Sequence, residues 1–191
     1  MISSFSLHKQ NFLKKLDKSK KGSIDKKIKI LVDKLNKKKK YYTTSSCSGR
    51  IVLFDQGKSK KKNEGEWLFV SHDVVGAKEK KKLFDSIQDV NQKENKNCWF
   101  RFEPAIMHVN CSDIENAEKL LKLARGCGFK LSGIIGIKKA TIEIRSSERI
   151  DVPVEIIDPN TLDILIKKAN EKMKETHKKI NRLKTNLTKI K

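Results

Sequence analysis

The sequence predicts an α+β fold, in which a single domain packs helices against a mainly antiparallel sheet and continues into a long C-terminal helix. Along residues 1–160, helical stripes alternate with pairs of short β-branched runs. Residues 161–191 carry a further apolar stripe with spacings of four and three. A chain of 191 residues with 37% hydrophobic content can bury one core. We therefore predict one domain over 1–191, with an α+β core at 1–160 and the long helix at 161–191.

Two helices are expected first. A weak amphipathic stripe runs from Phe5 to Leu16 and ends near "DKSKKGS". Ser23 is the candidate N-cap of the second helix, because a hydroxyl there can accept a hydrogen bond from an unpaired backbone N–H. The second stripe is the stronger one and consists of Ile24, Ile28, Leu31 and Leu35.

Strands are expected from Tyr41 onward. "GRIVLFD" and "WLFVSHD" are β-branched or aromatic runs joined by the polar loop "QGKSKKKNEGE", which predicts a hairpin. A helix over 80–90 and a solvated loop, "NQKENKN", come next. Two further strands lie in "CWFRFEPAIMHVNC", with Pro104 at a bend or edge between them.

The next segments continue the alternation of helix and strands. "SDIENAEKLLKLARGCGF" has a capping residue at Ser112 or Asp113, a buried stripe, and a closing glycine at its end. "KLSGIIGIKKATIEIRSS" and "RIDVPVEI" predict strands. Residues 41–54 and 129–147 both follow a helix and place serine and glycine just before a β run, so an internal duplication is left open.

The C-terminal stripe admits three interpretations. A helix of this length would extend roughly 40 Å at 1.5 Å per residue, which is long for a domain of this size. It can pack along its own domain, form a coiled-coil dimer, or lay a basic face along RNA. We predict internal packing and a monomer. The stripe comprises Leu162, Ile166, Ala169, Met173, Thr176, Ile180, Leu183, Leu187 and Ile190.

The charge of the chain points to a polyanionic partner. The formal net charge is +21, from 44 basic and 23 acidic residues, and such an excess favours nucleic acid. Only six of the basic residues are arginine, however, and an abundance of Lys, Asn and Ile together is also what compositional drift produces. Part of the charge therefore need not contact RNA.

The cysteines and the N-terminus indicate where the protein works. The four cysteines form no C-x-x-C pair and have no histidine at metal-ligand spacing, so the sequence predicts neither a zinc site nor a disulfide scaffold. Residues 1–12 lack a basic leader with an apolar run, and no segment approaches the roughly 18 apolar residues of a membrane span. We expect a cytoplasmic protein with reduced thiols and no membrane partner.

Several familiar catalytic signatures are missing from the sequence, including the phosphate-binding G-x-x-x-x-G-K-[ST], G-x-G-x-x-G after a strand, H-E-x-x-H and G-x-S-x-G. Four polar clusters remain, and each is expected at a strand end. Because loops on a rigid sheet commonly carry binding residues, the clusters could line one pocket. They are "TTSSCSGR", "SHD", "FEPAIMHV", and "LSG" with "RSS".

Each cluster has a ligand-binding and a structural interpretation. Gly49 permits close backbone approach and Arg50 offers a fork to a carboxylate or phosphate, but the neighbouring hydroxyls could equally cap their own turn. His72 and His108 could act as acid, base or substrate anchor, or serve only structure. Glu103 could face a cation such as a sulfonium, or be an ordinary surface carboxylate.

Six stretches, taken in order, resemble those of the wybutosine tRNA-modification family, and within it the third enzyme, the methyltransferase that acts on 4-demethylwyosine in phenylalanine tRNA. They cover most of residues 17–154, and the second and fourth are the most specific. The stretches are "DKSKKGSID", "YYTTSSCSGRIVL", "WLFVSH", "FRFEPAIMHVNC", "GFKLSGI" and "IRSS…VPV".

The resemblance implies transfer of a methyl group from S-adenosylmethionine to a nitrogen of the tricyclic base beside the anticodon, with phenylalanine tRNA as partner. On this basis we predict catalytic roles for His108 and Glu103. Donor-binding roles are expected for Ser45, Ser46, Ser48, Gly49 and Arg50, and substrate-binding roles for His72, Ser132, Gly133, Arg145 and Ser146. A non-catalytic, basic RNA-binding adaptor is the alternative function.

Overall fold

The computed structural model describes residues 3–14, 22–57, 65–92 and 97–190. The expected end of the first helix near 17–21, and much of the two predicted loops around 58–64 and 93–96, lie outside these ranges. The helices described are α1 Ser4–Leu13, α2 Lys26–Lys37, α3 Ala77–Asn91, α4 Ile114–Gly126 and α5 Pro159–Asn186. The strands are β1 Tyr41–Cys47, β2 Arg50–Asp55, β3 Glu66–Ser71, β4 Cys98–Glu103, β5 Ile106–Cys111, β6 Gly133–Gly136, β7 Thr141–Arg145 and β8 Ile150–Pro153.

The chain groups into two compact units. Unit 1 consists of Met1–Ser48, Ala105–Ser147 and His177–Lys191, and unit 2 of Gly49–Pro104 and Glu148–Thr176. The chain passes from one unit to the other four times, so each unit is assembled from segments that are distant in sequence. A single domain over 1–191 stays a prediction.

Unit 1 is built on a four-stranded antiparallel sheet with the strand order β1-β5-β7-β6. Alternate residues of its strands, such as Met107, Val109, Ile142 and Ile144, are buried on one face. This face forms a core with α2, α4 and the last turns of α5. The opposite face is therefore free to carry polar side chains.

Unit 2 contains a second antiparallel sheet, with the order β3-β2-β4-β8. Its buried face includes Ile51, Leu53, Phe100 and Phe102, which pack with α3 and the first turns of α5. Asn170 of α5 ties down the loop before α3, because its side-chain amide donates to the Val75 carbonyl at 3.0 Å and accepts from the Val75 N–H at 2.8 Å.

The apolar stripe of α5 is buried against other residues of the same chain. Its first part, up to Met173, is buried in the core of unit 2, and its later part, from Ile180 to Leu187, is buried in the core of unit 1. Thr176, the polar interruption of the stripe, is also buried. A coiled-coil seam would need these side chains on the surface, so the packing of the stripe corresponds to the first of the three interpretations.

The α+β fold, the antiparallel pairing and the long C-terminal helix are confirmed. Three details of the sequence prediction are wrong. Asp25, and not Ser23, occupies the N-cap of α2. Residues 43–47 make up most of strand β1 instead of lying at a strand end. Strands β4 and β5 are not a pair, because they lie in different sheets on either side of Pro104.

The proposed internal duplication is also not supported by the topology. Residues 41–54 supply β1 and β2, which lie in different sheets, whereas residues 129–147 supply the hairpin of β6 and β7 within one sheet. Within the described ranges, none of the helices combines the length and the apolar composition needed to cross a bilayer.

Candidate functional site

A row of polar side chains crosses the sheet of unit 1 on the face away from its core. Ser45 on β1 lies opposite His108 on β5, and His108 lies opposite Glu143 on β7. The row ends at Gly133 on β6, which lies opposite Glu143. Residues directly opposite each other in antiparallel strands project to the same face, so the register alone aligns these groups. We call Ser45, His108 and Glu143 the histidine row.

Hydrogen bonds link the three side chains of the histidine row. The Ser45 Oγ atom lies 2.8 Å from His108 Nδ1, and His108 Nε2 lies 3.0 Å from Glu143 Oε2. Because a carboxylate can only accept, the Nε2–H of His108 donates to Glu143. In the neutral imidazole, Nδ1 is then the basic nitrogen and accepts from the Ser45 hydroxyl. The row can therefore pass a proton from Ser45 to His108 while Glu143 stabilises the resulting charge.

A second polar row closes one end of the same face. Asn110 donates to the Tyr42 hydroxyl at 2.7 Å and accepts from the Thr141 hydroxyl at 2.7 Å. Helix α1 covers this end, with the rings of Phe5 and Phe12 at 5.4 and 5.5 Å from that of Tyr42. The histidine row is not closed off in this way, since the His108 side chain is 33% exposed.

Arg145 adds a positive charge beside the histidine row. Its Nε atom lies 3.6 Å from Glu143 Oε1, and its side chain is 44% exposed. Ser132 holds the backbone here, because its hydroxyl accepts from the Arg145 N–H at 3.1 Å and donates to the Phe129 carbonyl at 2.6 Å. Ser146 is buried, with the ammonium of Lys179 at 3.5 Å from its hydroxyl.

The remaining serines of the first sequence cluster have different surroundings. Ser46 is half-buried and lies opposite Met107, whose side chain is in the core. Ser48 is completely buried, and both its N–H and its hydroxyl donate to Asp25 Oδ2 at 2.9 and 3.2 Å. The Ser48, Ser132 and Ser146 hydroxyls thus bind protein groups and face away from solvent, and they support the backbone that carries the exposed residues.

A second cluster lies in unit 2 around Arg50. Arg50 on β2 lies opposite Glu103 on β4, and its Nε donates to Glu103 Oε2 at 2.6 Å. Its guanidinium also lies over the ring of Trp67, 4.1 Å from the centroid, which is cation–π geometry. Both side chains of the ion pair remain partly exposed, at 30% and 25%. We call these three residues the arginine cluster.

The same sheet face continues as a layer of arginine and aromatic side chains. The Phe54 ring contacts Trp67, with centroids 4.4 Å apart, and the Arg101 guanidinium lies 5.5 Å from the ring centroids of both Phe54 and Trp99. Arg101 pairs with Asp151 at 2.9 Å. This layer holds the arginine cluster in place.

Gly49, which comes directly before Arg50, is hydrogen-bonded to the side chain of His72. Gly49 has a φ of 93°, a left-handed conformation that favours glycine. Its carbonyl accepts a hydrogen bond from His72 Nδ1 at 3.0 Å. His72 therefore holds the turn before β2 in place.

Three of the four cysteines are poor nucleophiles because burial raises the pKa of their thiols. Burial raises the pKa of Cys98 and of Cys111 to about 12, and burial also raises the pKa of Cys127. These thiols stay protonated near neutral pH and are therefore unreactive. Cys98, Cys111 and Cys127 are free thiols.

Sequence reasoning found most of these residues but missed their partners. It did not single out Glu143, the hydrogen-bond partner of His108, or the layer residues Arg101 and Asp151. Apolar and polar residues alternate along β7, and this alternation predicts that Glu143 lies on the face away from the core. Pairing Glu143 with His108, 35 residues earlier in the chain, requires knowledge of which strands are neighbours.

The structure defines an α+β protein whose two clusters present groups of the kind that can bind a polar or anionic ligand and move a proton. The family model "Methyltransferase TYW3" matches residues 7–189. The chain belongs to this methyltransferase family. The match favours the methyltransferase hypothesis over the adaptor.

Individual relatives agree with the family match. A Danio rerio protein called "tRNA wybutosine-synthesizing protein 3 homolog" is 38% identical, with 94% of this chain and 72% of that protein covered. A Thermococcus sibiricus protein called "tRNA(Phe) 7-((3-amino-3-carboxypropyl)-4-demethylwyosine(37)-N(4))-methyltransferase" is 34% identical, with 98% of this chain and 96% of that protein covered. The solved structure of PH1069 from Pyrococcus horikoshii OT3 has a TM-score of 0.81 at 31% identity, covering 98% of this chain and 95% of that one.

Proposed function

We propose that this protein methylates N4 of the 7-(3-amino-3-carboxypropyl)-4-demethylwyosine base at position 37 of phenylalanine tRNA, with S-adenosylmethionine as donor. The observation that carries the proposal is the family match over residues 7–189. The relative from Thermococcus sibiricus, whose name states this substrate and this nitrogen, supports it over 98% of the chain.

The arginine cluster is the part of unit 2 that fits the donor. S-adenosylmethionine supplies an electrophilic methyl carbon when it is bound. It also carries a carboxylate, and Arg50 can engage such a group because, among the contacts of the described residues, Glu103 accepts from its Nε, whereas a guanidinium has five N–H donors in all. Glu103 supplies a negative charge that suits the ammonium or sulfonium of the donor. The Gly49 backbone is proposed as a further donor contact of this cluster, and the donor-binding roles of Ser45 and Ser46 stay predictions from the sequence.

The histidine row is the proposed proton acceptor. As N4 gains a methyl group it must lose its proton, and a base within hydrogen-bond reach facilitates this step. The Ser45 hydroxyl, at the solvent-exposed end of the row, would take that proton and pass its own to His108 Nδ1. Glu143, bonded to Nε2, would stabilise the imidazolium. His108 and Glu103 are thus the residues proposed to act at the reacting groups.

Substrate contacts are proposed for the exposed residues around the histidine row. Arg145 offers a guanidinium to an RNA phosphate or to the carboxylate of the modified base's side chain. Gly133 leaves open space at the end of the row, since a Cβ there would meet nothing within 4 Å. His72 remains a proposed substrate contact, and Ser48, Ser132 and Ser146 are proposed to act through the backbone that they hold. We further propose that the protein works in the cytoplasm as a monomer.

A reconstituted reaction tests the proposal. The purified protein, labelled S-adenosylmethionine and phenylalanine tRNA from cells that lack this protein should give labelled tRNA, and mass spectrometry of its nucleosides should place one added methyl group on the demethyl intermediate. His108→Gln should slow the transfer, whereas Glu115→Gln, an exposed change on α4, should not. If wild-type protein transfers no label while calorimetry shows tRNA binding without donor binding, the enzyme proposal is wrong and the adaptor explains the charge.

A further inference from the structure

The hairpin of β6 and β7 exposes an unusual amount of apolar surface. Leu131, Ile134, Ile135 and Ile137 are each more than a third exposed, and Ile137 reaches 80%. Single exposed apolar residues are ordinary, but four exposed apolar side chains within seven positions are a concentration of the kind that marks an interaction site. We call these four residues the isoleucine edge.

The topology explains why this edge is open. Among the strands that the structure describes, β6 is the last in the order of its sheet and pairs with β7 alone. A register shift between Ile134 and Gly136 interrupts the pairing, and Ala140 closes the turn with a φ of 43°, a left-handed conformation that is unusual for alanine. The open side of β6 therefore carries exposed apolar side chains with no further strand beside it among the described residues.

Charge identifies the kind of partner. Lys138 and Lys139 lie at the tip directly after Ile137, and both are exposed. Two copies of this chain meeting at the isoleucine edge would bring these lysines together, and each copy carries a formal charge of +21. A polyanion with apolar faces avoids this repulsion. Nucleobases that are unstacked in a single-stranded RNA loop have such faces, and their backbone supplies the negative charge.

The edge lies beside the histidine row. Gly133, at the start of β6, is the last position of that row and lies opposite Glu143. With neighbouring strands about 4.8 Å apart, Gly133 is roughly 10 Å from the β5 strand that carries His108. A loop held by the isoleucine edge would therefore have one of its nucleotides within reach of the row.

We propose that the isoleucine edge is an RNA-docking wedge: Ile135 and Ile137 pack against unstacked bases next to the target nucleotide, and Lys138 and Lys139 hold the adjoining phosphates. The inference rests on the proposed function, because it takes the anticodon loop as the RNA. Apolar side chains inserted between bases are a known means of unstacking nucleic acid, and an enzyme that modifies a base must take it out of the stack.

The test uses the full-length protein and an anticodon stem–loop of phenylalanine tRNA with 2-aminopurine beside nucleotide 37. The fluorescence of 2-aminopurine rises when it leaves the stack, and anisotropy of an end label gives the affinity. Ile135→Ser/Ile137→Ser should weaken binding about tenfold and remove most of the fluorescence rise at saturating protein. Ile30→Ser is the matched control, because Ile30 on α2 and Ile135 are both 56% exposed, and it should change neither reading.

A second variant separates the wedge from the charge. Lys138→Gln/Lys139→Gln should lower the slope of log affinity against log salt by roughly 1.4 but keep the fluorescence rise at saturation. Unchanged affinity and fluorescence in the isoleucine variant would overturn the inference, as would light scattering that shows a wild-type dimer dissociated by the same variant. If wild-type protein methylates tRNA normally in that case, only the wedge is refuted; if wild-type protein neither binds nor methylates tRNA, the proposed function fails with it.

Discussion

The histidine row makes a sharp prediction about Glu143. Glu143→Gln keeps the size of the side chain and an oxygen that can accept from His108 Nε2, so the imidazole should keep its orientation and tautomer. What the variant loses is the negative charge that would stabilise the imidazolium after proton transfer. The turnover of bound substrates should therefore fall, while the affinity for tRNA should change little.

The size of the effect follows from the geometry. The contact between His108 and Glu143 is 3.0 Å long, and their side chains are 33% and 21% exposed. A hydrogen bond to a charged group contributes about 1.5–3 kcal/mol, and this degree of exposure favours the lower half of that range because water screens the charge. Because the glutamine oxygen still accepts a neutral hydrogen bond worth about 0.5–1.5 kcal/mol, the net loss is about 1 kcal/mol, which corresponds to a roughly fivefold slower methyl transfer.

Single-turnover methyl transfer at saturating donor and tRNA is the suitable assay, because product release does not contribute to it. Glu115→Gln is the matched control: it makes the same chemical change in the same unit, at a side chain that is 75% exposed and pairs only with Lys119 among the contacts described. Ser45→Ala should also slow transfer, and its effect should not add to that of Glu143→Gln if the two groups act in one relay. A folded Glu143→Gln protein with the wild-type rate would refute the relay.

Three further predictions concern stability and the donor site. Asp113→Ala should lower the free energy of unfolding by about 1 kcal/mol in urea titrations, because its carboxylate caps α4 by accepting from the Asn116 N–H at 2.7 Å. Stability should fall as pH rises above about 9, since the thiols of Cys98 and Cys111 have an ordinary pKa of 9.0 when unfolded and about 12 when buried, so the unfolded chain binds fewer protons in that window. Each thiol adds a slope of at most about 1.4 kcal/mol per pH unit, and Cys→Ala variants should flatten the curve measured by thermal melting. Arg50→Lys should weaken donor binding about tenfold by calorimetry, because an ammonium cannot keep both the Glu103 contact and the guanidinium stacking on the indole; an unchanged donor affinity would remove Arg50 from the donor site.

Periodicity recovered the elements of the fold but not their arrangement. The stripe of α2 and the alternation along β7 depend on local spacing, and both are visible in the sequence. Pairing is different, because it depends on which strands meet after long excursions of the chain. Strands are expected from Tyr41 onward, yet the sequence does not show that Gly49, with its left-handed backbone, separates a strand of one sheet from a strand of the other. Nothing in the local pattern reports that change of sheet.

The candidate site shows the same division between local and distant information. Ser45, His108 and Arg50 were found because hydroxyls, imidazoles and guanidinium groups next to β runs stand out against their neighbours. The buried state of Ser48 could not be predicted, because it depends on Asp25, which lies 23 residues away and accepts from both the N–H and the hydroxyl of Ser48. The sequence therefore identified chemical groups, and the structure decides which of them are exposed.

The contrast between arginine and lysine bears on how the charge of +21 should be interpreted. Drift in composition adds lysine readily, but only six arginines occur among 44 basic residues, and a planar fork is useful only where geometry matters. The structure gives most of them defined partners within their own unit: Arg50 with Glu103, Arg101 with Asp151, Arg125 with the Ser132 carbonyl, Arg145 with Glu143, and Arg149 with Asp151. The arginines thus mark positions where orientation is needed, and Arg50 and Arg145 are the two that flank proposed chemistry. An exposed lysine can attract RNA by its charge without a fixed orientation. Substituting such lysines should therefore change the salt dependence of tRNA affinity more than the rate of methyl transfer.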